Sequence, residues 1–413
     1  MARFLVYTSP ARGHLFPTVP TLLELQRKGH EVSVVTLREE VPRLAAAGLR
    51  ARAMDERVEA IALDDHAAGS PPAALQRALT TWAKRGEHEV ADLKRAIAEE
   101  RPDALWVDFN SWGACAVAET SGLPWAIFMP YFLPWSLPGI PPFGPGLAPR
   151  RDLLGRVRDA VVGRLSRSFF AKGLAGCNAV RSLAGAPPLA SMDELGRAAP
   201  LLIHFTAEPF EYACPERPRS VVQVGPALWE PESATPEWLA SVDRPLVLVT
   251  ASTEFQADAR LLSATLEVLA NEPVFVVATT GANDPAQLPR PANARVERYA
   301  PHGPLLARAA CVVCHGGMGV TQKALAAGVP VCVVPFGRDQ NEVARHVEVA
   351  QAGTTLAPGR LTAERLRAAV ALARTRTAGA QRIAEAFRAA GGPARAAHAL
   401  EGLIAPSVTA RAG

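Results

Sequence analysis

Short runs of aliphatic residues alternate with helix-patterned stretches from the start of the chain, and the alternation is stated twice. Phe4 to Thr8, a helix from about Pro17 to Lys28, Glu31 to Thr36 and Ala104 to Val107 make the first series. Leu246 to Thr250, a helix near Asp258 to Ala270, Val274 to Ala278, Arg295 to Glu297 and Cys311 to Cys314 make the second. Such alternation predicts a parallel sheet with helices on both faces, the doubly wound α/β architecture. The 413 residues also exceed what one hydrophobic core usually serves, so two domains are expected. Between the two series, Cys214 to Arg244 is dense in Pro, Glu and Ser around Val224-Gly225-Pro226, the composition of a linker. The boundary is expected near 220, giving domains 1–220 and 221–413. From Thr362 onward Ala and Arg recur at helical spacing and predict helices.

Composition excludes several classes. A formal charge of +4 is small for this length and is scattered, so nucleic acid is not an expected partner. Six cysteines occur without a CxxC or a zinc-like spacing, and Cys311, Cys314 and Cys332 lie in apolar runs that suit buried free thiols. A reducing cytoplasm is the expected location. The chain enters its first strand at once, and no apolar run approaches the roughly 20 residues of a membrane span.

The chemistry is concentrated at the ends of predicted strands. Cys311 to Cys314 runs into His315-Gly316-Gly317-Met318-Gly319, a glycine-rich turn that opens a helix. Free backbone N–H groups and the positive end of the helix dipole meet there, a site for an anion such as a diphosphate. One strand later, Asp339-Gln340 offers a carboxylate and an amide at the carboxyl edge of the sheet, suited to sugar hydroxyls. In the first series His14 follows the opening strand, where an imidazole could serve as a general base; a lone histidine is more often structural. Asp108 ends another strand, where a carboxylate could cap the helix beginning near Ser111. The segment 130–149 is dense in Pro, Gly, Phe and Trp and cannot be a regular element. Its composition fits a loop lining an apolar pocket and one that merely covers the core equally well.

These motifs together resemble the GT-B glycosyltransferases of family 1, in the bacterial macrolide and antibiotic branch. Tyr299-Ala300-Pro301-His302 stands where that family has Trp/Tyr-x-Pro-Gln/His before its His-Gly-Gly turn. Gly13-His14-Leu15-Phe16-Pro17 with Gly29-His30-Glu31-Val32 is similar to its N-terminal signature, so the likeness runs nearly full length. The resemblance implies two Rossmann-like domains facing across a cleft, an acceptor-binding N-terminal one and a donor-binding C-terminal one, with the last helix near 394–403 returning to the first. It implies His14 as base and Asp108 as its partner. For the donor it implies Tyr299 stacked on the nucleobase, Ala300 to His302 reading its edge, and Ser252 and Thr253 on the phosphates. It further implies His315, Gly316, Gly317, Met318 and Gly319 on the diphosphate and Asp339 with Gln340 on the sugar. Phe16, Trp112, Phe132 and Trp135 are candidates to line the acceptor site. Donor contacts of this kind need no metal and no cofactor, and the sequence contains no Asp-x-Asp.

One residue departs from the pattern. Many relatives carry Glu eight positions after the histidine of His-Gly-Gly, where it binds the ribose hydroxyls; here Lys323 stands there. A thymidine nucleotide lacks the 2′-hydroxyl, so the departure points to a dTDP-sugar as donor, and a deoxysugar is the expected cargo. The expected reaction is inverting transfer onto a hydroxyl of a hydrophobic natural product such as a polyketide, with attack by carbon of a phenol also compatible. An epimerase or hydrolase on the same scaffold and a non-catalytic helper protein are the competing readings. A nicotinamide oxidoreductase lacks its GxGxxG and a serine hydrolase its G-x-S-x-G. The sequence leaves monomer and homodimer both open.

Overall fold

A computed structural model describes residues 1–404 apart from Gly69, Ser136, Glu232 and 253–257. It contains two parallel sheets. The first comprises β1 (Arg3–Tyr7), β2 (Glu31–Thr36), β3 (Arg50–Ala53), β4 (Ala104–Asp108), β5 (Trp125–Met129), β6 (Leu201–His204) and β7 (Val221–Gln223), in the order β3-β2-β1-β4-β5-β6-β7. The second comprises β8 (Leu246–Thr250), β9 (Phe275–Thr279), β10 (Ala294–Glu297), β11 (Ala309–Cys314), β12 (Val331–Val333) and β13 (Gly353–Thr355), in the order β10-β9-β8-β11-β12-β13. In each sheet the strand order reverses beside the first strand, between β1 and β4 and between β8 and β11. Ligands of open α/β sheets bind at the carboxyl ends of strands beside such reversals, and His14, Asp108, Ser252 and His315 all follow or end those four strands.

Both faces of each sheet are buried, which explains the continuous aliphatic runs. Side chains alternate between faces with period two: Leu5 and Tyr7 join one cluster of the first sheet, Phe4 and Val6 the other. Leu246 and Leu248 likewise separate from Val247 and Val249. The last helix, Gly392–Ile404, lies on the first sheet. Its Ala396, Ala397 and Leu400 share a cluster with Leu15, Val19 and Leu22, and Glu401 pairs with Lys28 and His30 of the first half.

The segment 130–149 is irregular, and it joins the two halves. Phe132 belongs to a cluster of the second sheet with Leu246 and Val343. It stacks on His346 at 3.7 Å, and Tyr212 stacks on the other face of the same ring at 3.7 Å. Gly144 and Gly146 donate their N–H groups to Glu342 at 2.6 and 2.8 Å, tying the loop to the helix Gln340–Val349. All six cysteines are buried and unpaired. No helix among the described residues is long and apolar enough to cross a membrane.

Candidate active site

His14 sits in a one-turn helix, Arg12–Leu15, directly after β1, with a side chain 17% exposed. Its Nδ1 lies 2.8 Å from Asp108 Oδ2 and 3.0 Å from Oδ1. Asp108 is fully buried at the end of β4, and its other partners are Ser9 N at 3.0 Å, Ser9 Oγ at 2.8 Å and Asn110 N at 2.9 Å. The carboxylate therefore does not cap the helix Trp112–Thr120, which has no side-chain cap at Ser111. Burial opposes the ionisation of Asp108, but His14 and these hydrogen bonds outweigh it and hold the carboxyl below its usual range. An ionised carboxylate accepts only, so Nδ1 carries the proton and Nε2 is left with its lone pair. Asn110 Nδ2, 3.5 Å from Nε2, is placed to donate to it, and Asn110 Oδ1 accepts from Tyr131 Oη at 2.6 Å. This is the arrangement of a base whose tautomer is fixed by a buried acid.

The second half supplies a polar wall opposite. After β11, Gly316 turns with φ +92°, and Gly317 begins the helix Met318–Ala326 with no side-chain cap. A Cβ at Gly319 would meet nothing within 4 Å, so the first turn faces open space. A Cβ at Gly317 would stand 2.5 Å from His315 Nε2, so glycine there makes room for the imidazole. His315 is 5% exposed; burial first, and then the charge of Arg338, lowers its pKa. Its Nδ1 lies 3.7 Å from Asp258 Oδ2. Asp258 Oδ2 also accepts from Ser252 N at 2.7 Å, and Oδ1 from Asn283 Nδ2 at 3.2 Å. Asp258 thus ties the turn after β8 to the turn after β11, a role the sequence does not announce.

Tyr299 is 59% exposed, unlike a core aromatic, while Ala300 is buried at 3%. His302 Nε2 lies 3.2 Å from Thr279 Oγ1, and burial together with Lys323 pushes its pKa well below the ordinary value. Lys323 reaches Glu230 Oε1 at 2.6 Å, and Glu230 Oε2 accepts from Gly303 N at 3.1 Å. Burial opposes the charge on Glu230, yet Lys323 keeps its carboxyl below the usual range. A carboxylate therefore does reach this corner, from the segment joining the halves. Asp339 precedes the helix Gln340–Val349; burial raises its pKa, and the charges of Arg338 and His14 oppose the rise. Gln340 is 1% exposed, and its Oε1 accepts from Phe336 N and Gly337 N at 2.6 and 3.1 Å, so that oxygen shapes the loop. Thr253 lies outside the described residues.

The aromatic acceptor candidates divide. Trp112 is 1% exposed and packs edge-on against Trp82 at 5.8 Å, so it is a core residue of the first half. It is a candidate to line the acceptor site by sequence, but the side chain turns inward. Phe132 and Trp135, at 2% and 4% exposure, border a void of only ≈ 20 Å³ with Leu133, Ile140 and Phe143. They pack the loop; the void is too small for an aglycone. Phe16 is partly buried and meets Trp229 edge-on at 5.1 Å. Tyr131, which the sequence reading passes over, lies 5.8 Å ring to ring from His14.

Two parallel-sheet Rossmann-like domains with these strand-end sites define the GT-B class of glycosyltransferase. Residues 260–403 match the family model described as the erythromycin biosynthesis protein CIII-like C-terminal domain. The 4'-demethylrebeccamycin synthase of Lentzea aerocolonigenes is 33% identical over 392 residues, covering 89% of this chain and 91% of that protein. Among solved structures, the calicheamicin glycosyltransferase CalG4 superposes with a TM-score of 0.78 at 21% identity, covering 99% of both chains. The spinosyn rhamnosyltransferase SpnG, solved with thymidine diphosphate, gives 0.70 at 20% identity, covering 97% of this chain and 100% of that one. The chain belongs to the bacterial natural-product branch of the family 1 glycosyltransferases.

Proposed function

We propose that this glycosyltransferase moves a sugar from a dTDP donor onto a hydroxyl of a hydrophobic aglycone by one inverting displacement. The observation that carries the proposal is the His14–Asp108 pair at 2.8 Å. In this reading His14 Nε2 takes the proton of the acceptor hydroxyl as its oxygen attacks the anomeric carbon. The bond to the diphosphate breaks on the opposite face, and Asp108 stabilises the imidazolium. Negative charge building on the diphosphate is met by backbone N–H groups of Gly317, Met318 and Gly319 and by an N–H of His315. Contacts of this kind make a metal unnecessary for leaving-group stabilisation. Asp339 and Gln340 hold sugar hydroxyls, and Tyr299 offers an exposed ring to the base.

The dTDP assignment rests on Lys323, whose ammonium pairs with Glu230 near the nucleoside corner. SpnG, named with thymidine diphosphate, supports it by analogy. Competition between dTDP-glucose and UDP-glucose tests this part, and a clear preference for UDP-glucose would refute it. The reaction is tested by incubating protein with each donor and a panel of phenols and polyketides in EDTA. Acceptor-dependent release of nucleoside diphosphate with a hexose mass gain is expected, and it should be lost in His14→Ala. Release without acceptor would indicate hydrolysis or epimerisation instead.

A further inference from the structure

The loop that carries Asp339 is held in an unusual way. Arg338, just before it, has φ +52°, the left-handed region that disfavours any residue with a Cβ and that glycine adopts freely. Its guanidinium leaves its own half of the molecule and grips Asp65, Nε to Oδ2 and Nη2 to Oδ1, each at 2.8 Å. Asp65 stands in a short turn of the first half, Asp65–Ala67, and is 5% exposed. Its neighbour Asp64 is fastened in turn by Arg77 at 3.0 Å. A two-pronged arginine–carboxylate pair fixes direction as well as distance, and with one partner buried it is little screened by salt.

The same loop is secured from its own side. Gln340 Oε1 accepts from Phe336 N and Gly337 N, and the Arg260 guanidinium lies 4.7 Å over the Phe336 ring. Asp339 therefore sits between an anchor within its own half and an anchor across the cleft. A strained backbone persists where the surroundings over-determine it, and such strain gathers at functional sites. Here the over-determining contact comes from a residue 273 positions away. If the arginine served only the second half, a glycine would meet the backbone requirement with less strain.

We propose that Asp65 is a positioning residue for the donor sugar: through Arg338 it fixes the left-handed turn that presents Asp339 to the cleft, so that sugar recognition is complete only when the two halves meet. This rests on Asp339 and Gln340 being the sugar-contacting pair. The nucleotide is gripped elsewhere, at 299–302 and 315–319, although the charge of Arg338 also reaches His315. Losing Asp65, which leaves the Arg338 charge in place, should therefore be felt by the sugar and not by the nucleoside diphosphate.

The test compares dTDP-glucose with dTDP on the full chain by calorimetry, for wild type, Asp65→Asn and Arg338→Gly. Asparagine keeps the shape of the acid without its charge, and glycine suits the left-handed backbone, so both variants should fold; thermal unfolding checks this. The expected result is unchanged dTDP affinity in Asp65→Asn with at least a tenfold loss for dTDP-glucose, and in Arg338→Gly a loss for dTDP-glucose at least tenfold greater than any loss for dTDP. An unchanged ratio of the two affinities overturns the proposal. An equal loss for both ligands also overturns it, since the pair would then support the donor half as a whole. A wild type that binds neither dTDP-glucose nor UDP-glucose would instead remove the donor-site reading beneath it, a result distinct from the other two.

Discussion

Two buried acids of the first half are driven in opposite directions by their surroundings. Asp108 receives hydrogen bonds from Ser9 and Asn110 and a charge partner in His14, and it stays ionised. Asp108→Asn preserves the shape but would let the imidazole adopt the wrong tautomer, and kcat should fall by about 10³–10⁴. Steady-state rates with unchanged thermal unfolding would check this, and a loss under tenfold would count against the pairing. Glu89, on the helix Pro71–Glu100 behind the same site, accepts from Gly113 N at 2.9 Å, while its Oε1 has no partner. Burial pushes its pKa up to about 8. Between about 4.5 and 8 the folded chain keeps a proton that the unfolded chain releases, so this group's contribution to stability falls as pH rises through that window. Glu89→Gln should flatten the slope and stabilise the protein at pH 8, by about 4 kcal/mol at most. Urea unfolding of both proteins at pH 5 and pH 8 measures it; an equal change at both pH values would refute the assignment.

At the scale of elements, the turn from β11 into the helix Met318–Ala326 works because nothing fills it. Gly317→Ala would drive a Cβ to 2.5 Å from His315 Nε2, closer than such atoms approach, so the ring must leave its place. Donor affinity should drop about tenfold, and stability by about 1 kcal/mol; calorimetry with dTDP reads the first and thermal unfolding the second. Much of this was legible beforehand. A glycine-rich turn after an aliphatic run encodes strand, turn and helix within ten residues, and β1, β2, β4, β8 and β11 follow from their aliphatic runs. The helix Pro71–Glu100 also left a signal, with Leu75, Leu79, Trp82, Val90, Leu93 and Ile97 near helical spacing. What stayed hidden depends on long-range meetings of side chains. Asp258 beside His315, Glu230 beside Lys323 and Asp65 beside Arg338 join distant parts of the chain, and no local pattern marks them. Trp112 misled because sequence places a residue at a helix start but does not say which way its ring turns.

The whole molecule is joined by more than its linker. The last helix lies on the first sheet, and His346 of the second half is clasped between Phe132 and Tyr212. Beneath this clasp His204, at the end of β6, has its Nε2 3.0 Å from the Tyr131 carbonyl oxygen, and its Nδ1 is without a partner. Tyr131 in turn contacts Asn110 and His14, so the junction between the halves runs directly into the candidate base. Burial pushes the His204 pKa down to about 4, although Glu211 opposes the shift. The folded imidazole therefore stays neutral at pH values where the unfolded one, near 6.5, has taken a proton. Its contribution is present above 6.5 and is lost as pH falls from 6.5 towards 4, the reverse of the Glu89 dependence. The loss approaches about 3 kcal/mol at the acid end of that window. Thermal unfolding across pH 4 to 7 should show this decline in wild type and a shallower one in His204→Asn. Parallel pH profiles in the two proteins would mean that His204 does not titrate with folding.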